Sequence, residues 1–265
     1  MNTTAGINLI FPAALIGYLF YFSGHVIFAL IVVPVFILMS PFPRLRHRFI
    51  HGVFQWYVFF LSRQYLPFLR VYRLREISGL DRARSAGPAV YVVNHRSRMD
   101  GPLMLATVPD SAVIIKAAYG RNILYSGFVK YLDFVSVEAG SLSSLAGAVQ
   151  KAQELLAAGR NMIVFPEGTR SVTGRLLPYR DIAFRLARAA GVPIVPVVLH
   201  SDLPFMAKRP GSIFPPRTIN FTMRFLEPVR LQEKETLVSL VERVERAVAA
   251  QLRELDKGTV WEVKS

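Results

Sequence analysis

The sequence has no cysteine among its 265 residues. Disulfide bonds, thiolate metal sites and a cysteine nucleophile are therefore excluded. It also lacks a Gly-x-Ser-x-Gly motif, the signature of the strained nucleophile turn in many serine hydrolases. The sequence thus indicates neither of these two routes through a covalent intermediate.

The amino-terminal region lacks charge. Its first 43 residues contain no Asp, Glu, Lys or Arg, and Asn8 to Ser40 is almost continuously apolar, which is typical of a membrane segment. As one helix this run is roughly 50 Å long, more than a hydrocarbon core of about 30 Å requires. Two half-length helices hinged near Ser23 to His25, or a single tilted span trimmed at Pro12 or Pro34, both fit. A cleaved signal peptide is not indicated, because there is no basic start and no cleavage site.

A collar of arginines follows the apolar run. Arg44 to Arg84 holds nine arginines against Glu76 and Asp81, and this excess of 9 − 2 = 7 is half of the net charge of +14. Such a collar favours anionic headgroups on the cytoplasmic face of a membrane. The aromatic stretch Phe49 to Leu61 is expected to lie at the interface. Nucleic-acid binding is not favoured, because such proteins have no use for a lipid-soluble amino terminus.

From about residue 85 the sequence alternates short apolar, β-rich runs with helical patterns, which indicates an α/β domain. We therefore expect a membrane-anchoring helical segment over residues 1–84 and a catalytic domain over 85–265. The expected strands are Ala89–Val93, Ala112–Ile115, Val135–Val137, Met162–Phe165, Ile194–Leu199 and Ile219–Leu226; the expected helices are Leu142–Leu156, Ile182–Ala190 and Leu237–Leu252.

A histidine and an aspartate follow the strand that ends at Val93. His95 and Asp100 are five positions apart, so a turn that folds back brings the carboxylate to the imidazole. A histidine held in this way can act as a general base. The alternative is that Asp100 only caps a helix whose first turn contains Pro102.

A second group of polar residues follows the strand that ends at Phe165. The stretch "PEGTR" places Glu167, Gly168, Thr169 and Arg170 at the carboxyl end of a strand, where open α/β sheets bind their ligands. The guanidinium of Arg170 suits a phosphate or another anion. The alternative is a tight turn with a surface ion pair.

The two groups together resemble a known family. "NHRSRMD" followed by "FPEGTRS" and "VPIVPVVL" is similar to the glycerolipid acyltransferases, in particular the bacterial 1-acylglycerol-3-phosphate acyltransferases, over roughly Val90 to Leu199. The resemblance implies an α/β fold with a mixed sheet flanked by helices. It implies that His95 and Asp100 are catalytic and that the "EGTR" residues bind the acceptor together with Asn94, Lys116, Arg121 and Gly127.

The resemblance also implies a reaction. A lysolipid hydroxyl attacks an acyl thioester carried by coenzyme A or acyl carrier protein, while His95 takes the proton and Asp100 orients the ring. The partners expected are therefore this acyl donor, a lysophospholipid acceptor and anionic membrane lipids. No metal or other cofactor is expected, and the location implied is the inner membrane of a bacterium, with the catalytic domain on the cytoplasmic face.

One position departs from the family pattern. Where relatives commonly read Val-Asp-Arg-Gly, this chain reads Val137-Glu138-Ala139-Gly140, so the arginine that is thought to hold the acceptor phosphate is absent. Arg121 or Lys130 is a candidate to replace it. A different acceptor, such as a lyso-ornithine lipid, is the alternative. A second departure is Ile182, where relatives often have glycine.

Overall fold

The computed structural model describes residues 10–108, 110–121, 129, 132–138 and 140–262. Gly127, Lys130 and Ala139, which the sequence analysis singled out, lie outside the described residues.

A seven-stranded mixed sheet forms the centre of the molecule. Its strands are β1 (Tyr72–Ser78), β2 (Val90–Val93), β3 (Ser111–Lys116), β4 (Val135–Val137), β5 (Asn161–Val164), β6 (Ile194–Ser201) and β7 (Ile219–Phe225), arranged in the order β1-β7-β6-β2-β5-β3-β4. All paired neighbours are parallel except β6 and β7. This confirms the expected α/β fold with a mixed sheet.

Helices cover both faces of the sheet. The described helices of the catalytic region are α3 (Leu66–Phe68), α4 (Leu80–Ser85), α5 (Asp100–Thr107), α6 (Ala117–Gly120), α7 (Leu142–Ala157), α8 (Ile182–Ala190) and α9 (Leu237–Asp256). Leu103 of α5 belongs to the apolar cluster on one face, and Leu156, Phe184 and Val248 of α7, α8 and α9 belong to the cluster on the other. Every residue of β2 and β6 is buried, which explains why β2 and the first six residues of β6 are apolar; only His200 and Ser201 at the end of β6 are polar.

Local signals in the sequence set several helix ends. Ser141 accepts a hydrogen bond from the backbone N–H of Ser144 at the start of α7, and Thr236 accepts one from Ser239 at the start of α9. Gly191, at a φ of +66°, ends α8 in the left-handed conformation that glycine adopts without strain. The observed limits of β4 and α8 are the expected ones.

The amino-terminal region forms two helices, α1 (Ile10–Leu38) and α2 (Pro43–Phe59), followed by a π-helical segment at Phe60–Tyr65. Of the two arrangements that fit the apolar run, the one with a hinge near Ser23 to His25 is wrong, since α1 runs through these residues without interruption. The break lies at Met39 to Phe42 instead, where Pro41 and Pro43 disfavour helical continuation.

Among the residues that the structure describes, no helix meets the length and apolarity that crossing a membrane requires. The expected membrane span is therefore unconfirmed.

The boundary expected at residue 84 also needs correction, because β1 pairs with β7 and residues 72–78 belong to the sheet. These residues begin by alternating apolar side chains with arginines because successive side chains of a strand point to opposite faces, and the face with Arg73 and Arg75 is exposed. The sequence analysis assigned them to the arginine collar for that reason.

Candidate active site

His95 and Asp100 meet where β2 ends. The Nδ1 atom of His95 lies 2.8 Å from Oδ2 of Asp100, and the side chains are 20% and 3% exposed respectively. With the carboxylate accepting, Nδ1 carries a proton and Nε2 carries the lone pair. The imidazole also stacks on Phe165, with ring centroids 4.2 Å apart. The ring is therefore held on one nitrogen and one face.

Asp100 organises the loop before α5. Besides His95, its Oδ2 atom accepts hydrogen bonds from the backbone N–H groups of Arg96 and Ser97, at 2.8 and 2.7 Å. Both donors precede α5, whose first residue is Asp100 itself. The carboxylate thus folds the loop back onto the histidine, and the alternative in which Asp100 only caps the helix is wrong.

Glu167 joins the two polar groups. Because β2 and β5 are parallel neighbours, the residues that follow them lie at the same edge of the sheet. Glu167 accepts from the backbone N–H of His95 at 2.7 Å and from that of Leu177 at 3.0 Å. In addition, the carbonyl of His95 accepts from the N–H of Ser171 at 2.9 Å. The two loops are therefore bonded directly to each other at the histidine.

Burial has a marked effect on Glu167, which is 4% exposed. Desolvation raises its pKa to about 7, although the two backbone N–H groups that it accepts from oppose the shift. The carboxyl group is enclosed by the chain and braces the two loops. The sequence analysis predicted that Glu167 binds the acceptor; that role stays a prediction.

Asn94 has a comparable bracing position. Its side-chain amide donates to the carbonyl of Leu199 at 2.9 Å and its side-chain oxygen accepts from the Leu199 N–H at 2.8 Å. This reciprocal pair ties the end of β2 to β6. This contact does not test the role of Asn94 in substrate binding, which stays a prediction.

The comparisons with known proteins agree with this site. Residues 75–200 match the family model described as Acyltransferase. A 1-acyl-sn-glycerol-3-phosphate acyltransferase alpha of Mus musculus is 28% identical over 244 residues, which cover 89% of this chain and 80% of that protein. The chain is thus similar to the acyltransferase family over residues 75–200 and to this Mus musculus protein over most of its length.

Other proteins that are similar to the chain carry related names. A 1-acyl-sn-glycerol-3-phosphate acyltransferase of Cocos nucifera is 30% identical over 178 residues, which cover 65% of this chain and 56% of that protein. The crystal structure of the 1-acyl-sn-glycerophosphate acyltransferase PlsC of Thermotoga maritima aligns with a TM-score of 0.70 at 23% identity, covering 92% of this chain and 95% of that one. This likeness confirms the fold.

The turn after Glu167 presents two guanidinium groups. Arg170 donates from Nη1 to the carbonyl of Met206 at 2.9 Å, which links it to the Pro-rich loop 203–217. The guanidinium of Arg180 lies on Gly168, where an added Cβ would be only 3.2 Å from its Cζ. Gly168 has a φ of +65°, so both its backbone conformation and this close approach favour glycine. Thr169 lies between Gly168 and Arg170 and is partly buried.

Arg180 was missed as a site residue by the sequence analysis, which noted only Ile182, two residues later, as a departure. The sequence gives little indication of Arg180, because arginine is common in this chain and a turn in the structure brings Arg180 to Gly168. The N–H of Arg180 donates to the carbonyl of Pro166 at 3.0 Å, and this bond folds the chain back over the "EGTR" turn.

Lys116 and Arg121 lie towards the carboxyl end of β3, on the same side of the sheet as His95 and Glu167, but are more exposed to solvent. Lys116 ends β3, which is parallel to β5, and is exposed. Nη1 of Arg121 is 3.7 Å from Oε1 of Glu138, and both side chains are largely exposed. Arg121 therefore reaches Glu138, the residue directly before the position where the resemblance implies an arginine.

Proposed function

We propose that the chain is a membrane-attached 1-acylglycerol-3-phosphate O-acyltransferase, which transfers an acyl group from a thioester of coenzyme A or acyl carrier protein to the free hydroxyl of lysophosphatidic acid. The observation that carries this proposal is the 2.8 Å contact between His95 Nδ1 and Asp100 Oδ2 on a partly exposed ring. The names of the relatives support the choice of acceptor.

In this reaction Nε2 of His95 takes the proton of the acceptor hydroxyl as its oxygen attacks the thioester carbonyl carbon. The tetrahedral intermediate collapses, the carbon–sulfur bond breaks, and the proton on Nε2 passes to the leaving thiolate. Asp100 stabilises the transient imidazolium and keeps Nδ1 protonated, so that Nε2 is the nitrogen that reacts. No residue of the enzyme is acylated.

Three arginines are candidates for the acceptor phosphate. Arg170 and Arg180 approach the turn at Gly168, and Arg121 lies beside Glu138. A guanidinium has several donors in a planar fork that suits a phosphate, and Arg170 uses one of its terminal nitrogens to donate to Met206. Arg121 is placed to take over the function of the arginine that position 139 lacks.

Membrane attachment is the second part of the proposal. Many large apolar side chains of α1 and α2 are exposed, including Leu19, Phe20, Leu30, Ile31 and Trp56. Contiguous apolar surface of this kind is rare on soluble monomers. We assign it to lipid, with the arginines of residues 44–84 on anionic headgroups and the catalytic domain on the cytoplasmic face of a bacterial inner membrane.

A different acceptor is the second candidate, because Ala139 stands where the family resemblance implies an arginine. The test offers purified enzyme and acyl-coenzyme A a panel of lysophosphatidic acid, lysophosphatidylcholine and lyso-ornithine lipid, and the products are identified by mass. We expect phosphatidic acid as the main product. Preferred acylation of lyso-ornithine lipid would establish the second candidate instead.

The same assay tests the two catalytic residues. We expect His95→Ala to lose roughly 10² to 10⁴ in rate, the usual contribution of a general base, with the fold preserved. Asp100→Asn should lose a comparable amount, because a neutral amide stabilises the imidazolium less and permits the wrong tautomer. Near-normal turnover of folded His95→Ala would rule out the proposed mechanism.

A further inference from the structure

The end of the chain closes over the loop that carries His95. Asp256, the last residue of α9, accepts hydrogen bonds from both terminal nitrogens of Arg96, at 2.7 Å each. Arg96 follows His95 directly, and the side chains of Arg96 and Asp256 are only 7% and 14% exposed. A bidentate pair with this burial is far better defined than a surface ion pair.

Trp261 completes the closure. Its Nε1–H donates to the carbonyl of Ser201 at 2.7 Å, and its ring lies 5.2 Å from the guanidinium carbon of Arg96. The ring also packs on Gly174, where an added Cβ would come within 2.0 Å of it. The tail therefore contacts the loop after β2, the end of β6 and the loop after the "EGTR" turn.

Arg96 is consequently held at both ends. Its backbone N–H donates to Oδ2 of Asp100, the same atom that contacts His95 Nδ1, while its side chain is fixed by Asp256 and Trp261. A shift of the Arg96 side chain would be transmitted to this N–H and hence to the orientation of the carboxylate under His95.

The pair also neutralises a buried charge. Burial by itself raises the pKa of Asp256, but the hydrogen bonds from Arg96 and the proximity of His200 lower it below its usual range. His200 Nε2 lies 3.3 Å from Asp256 Oδ1. Without the carboxylate of Asp256, the positive charge of Arg96 would be uncompensated next to His95, which faces Asp100 and Glu167.

We propose that Asp256 and Trp261 are positioning residues for acyl transfer, which act on His95 through Arg96. The role rests on the proposed function of His95 and Asp100. It predicts two separable effects when Asp256 is neutralised. The histidine is held less well, so turnover falls, and the uncompensated arginine disfavours the imidazolium, so the histidine loses its proton at a lower pH.

The experiment measures kcat, KM and the pH profile of kcat for Asp256→Asn in the full-length enzyme. We expect kcat to fall about tenfold, a small part of the 10² to 10⁴ contributed by a general base, with little change in KM. The acidic limb of the pH profile should move to lower pH. In the double variant Arg96→Gln/Asp256→Asn both charges are gone, so the limb should return to its wild-type position while kcat stays low.

Glu254→Gln is the matched control. Glu254 lies two residues before Asp256 on α9 and pairs with Arg224 at 3.1 Å, away from the loop after β2. We expect wild-type kcat and pH profile from it. Trp261→Phe, which keeps a ring over Arg96 but loses the bond to Ser201, should lower kcat less than Asp256→Asn does.

His95→Ala is assayed in parallel to separate the two proposals. If His95→Ala stays active, the proposed mechanism itself fails. If His95→Ala is inactive while Asp256→Asn matches Glu254→Gln in kcat and in its acidic limb, only the positioning role is overturned. A lower kcat in Asp256→Asn without any shift of the limb would mean that the pair is merely structural, and would also overturn it.

Discussion

At the scale of single residues, one carboxylate oxygen of Asp100 both holds the loop before α5 and orients the imidazole of His95. Oδ2 of Asp100 receives His95 Nδ1 and two backbone N–H groups, and all three contacts lie between 2.7 and 2.8 Å. The backbone contacts fix where the carboxylate points before any substrate arrives. The spacing of five residues from His95 to Asp100 is thus explained by a loop that closes on its own carboxylate.

Glu167 makes stability depend on pH. Its ordinary pKa is 4.5 and its pKa in the folded protein is about 7, raised chiefly by burial. Between these values the unfolded chain has released the Glu167 proton and the folded chain still binds it. The stability contributed by this group is therefore complete below the lower value and is lost as pH rises through the higher one.

The check compares wild type with Glu167→Gln, which has no such proton to lose. We expect the free energy of unfolding of wild type to fall, relative to that of Glu167→Gln, as pH rises from 4.5 to about 7. Denaturant titrations across this range measure it. A difference that stays constant with pH would show that Glu167 ionises in its ordinary range.

Ala139 provides a test of the acceptor. If lysophosphatidic acid is the natural acceptor, Ala139→Arg adds a donor for its phosphate. A charge-assisted hydrogen bond contributes on the order of 1.5 to 3 kcal/mol, so kcat/KM for lysophosphatidic acid should rise roughly tenfold or more. The same variant should gain nothing on lyso-ornithine lipid, because that acceptor has no phosphate to bind.

The control for this variant is Arg121→Gln, because Arg121 is the proposed substitute for the missing arginine. We expect Arg121→Gln to weaken use of lysophosphatidic acid and Ala139→Arg to restore it in the double variant. Unchanged kcat/KM for lysophosphatidic acid in all three variants would show that this edge of the sheet does not hold the phosphate.

At the scale of elements, α1 is attached to the catalytic domain as well as exposed. The hydroxyl of Tyr18 donates to the carbonyl of Ile213 at 2.7 Å, and its ring meets Phe214 edge to face at 5.5 Å. Both partners belong to the Pro-rich loop that also receives Arg170. The helix proposed to lie in lipid is thus in direct contact with a loop at the candidate active site.

This arrangement predicts two separable modes of membrane binding. Concentrated salt should leave the full-length protein on membranes, because apolar insertion of α1 is insensitive to screening. A shortened protein that begins at Arg44 should bind anionic vesicles at low salt and be released by the same wash. Sedimentation of vesicles with bound protein measures both. Release of the full-length protein by salt alone would contradict the insertion of α1.

The elements also show where sequence patterns were sufficient. The strand at Val135–Val137 and the helix at Ile182–Ala190 have the limits that their apolar periodicity predicts. Edge strand β1 was missed because Arg73 and Arg75 break its apolar pattern. The pairing of β1 with β7 in the structure is what identifies residues 72–78 as a strand.

At the scale of the whole molecule, the net charge of +14 suits a substrate, a donor and a surface that are all anionic. The sheet order then decides where that charge acts. His95 and Glu167 follow β2 and β5, and Lys116 is the last residue of β3; these three parallel strands are neighbours in the sheet. Residues separated by up to 72 positions are thereby gathered at one edge.

The sequence by itself determined the α/β class and the apolar amino terminus, since both depend on periodicity or composition. The spacing of His95 and Asp100 allowed their pairing but left helix capping open until the structure showed the contact. The tertiary structure decided that Glu167 braces His95, that Arg180 lies on Gly168, and that Asp256 and Trp261 hold Arg96. Those contacts join residues 12 to 165 positions apart. No local pattern predicts these contacts, because they form only when parallel strands place distant loops side by side. The polar groups buried there are then hydrogen-bonded, since an unpaired buried polar group is costly.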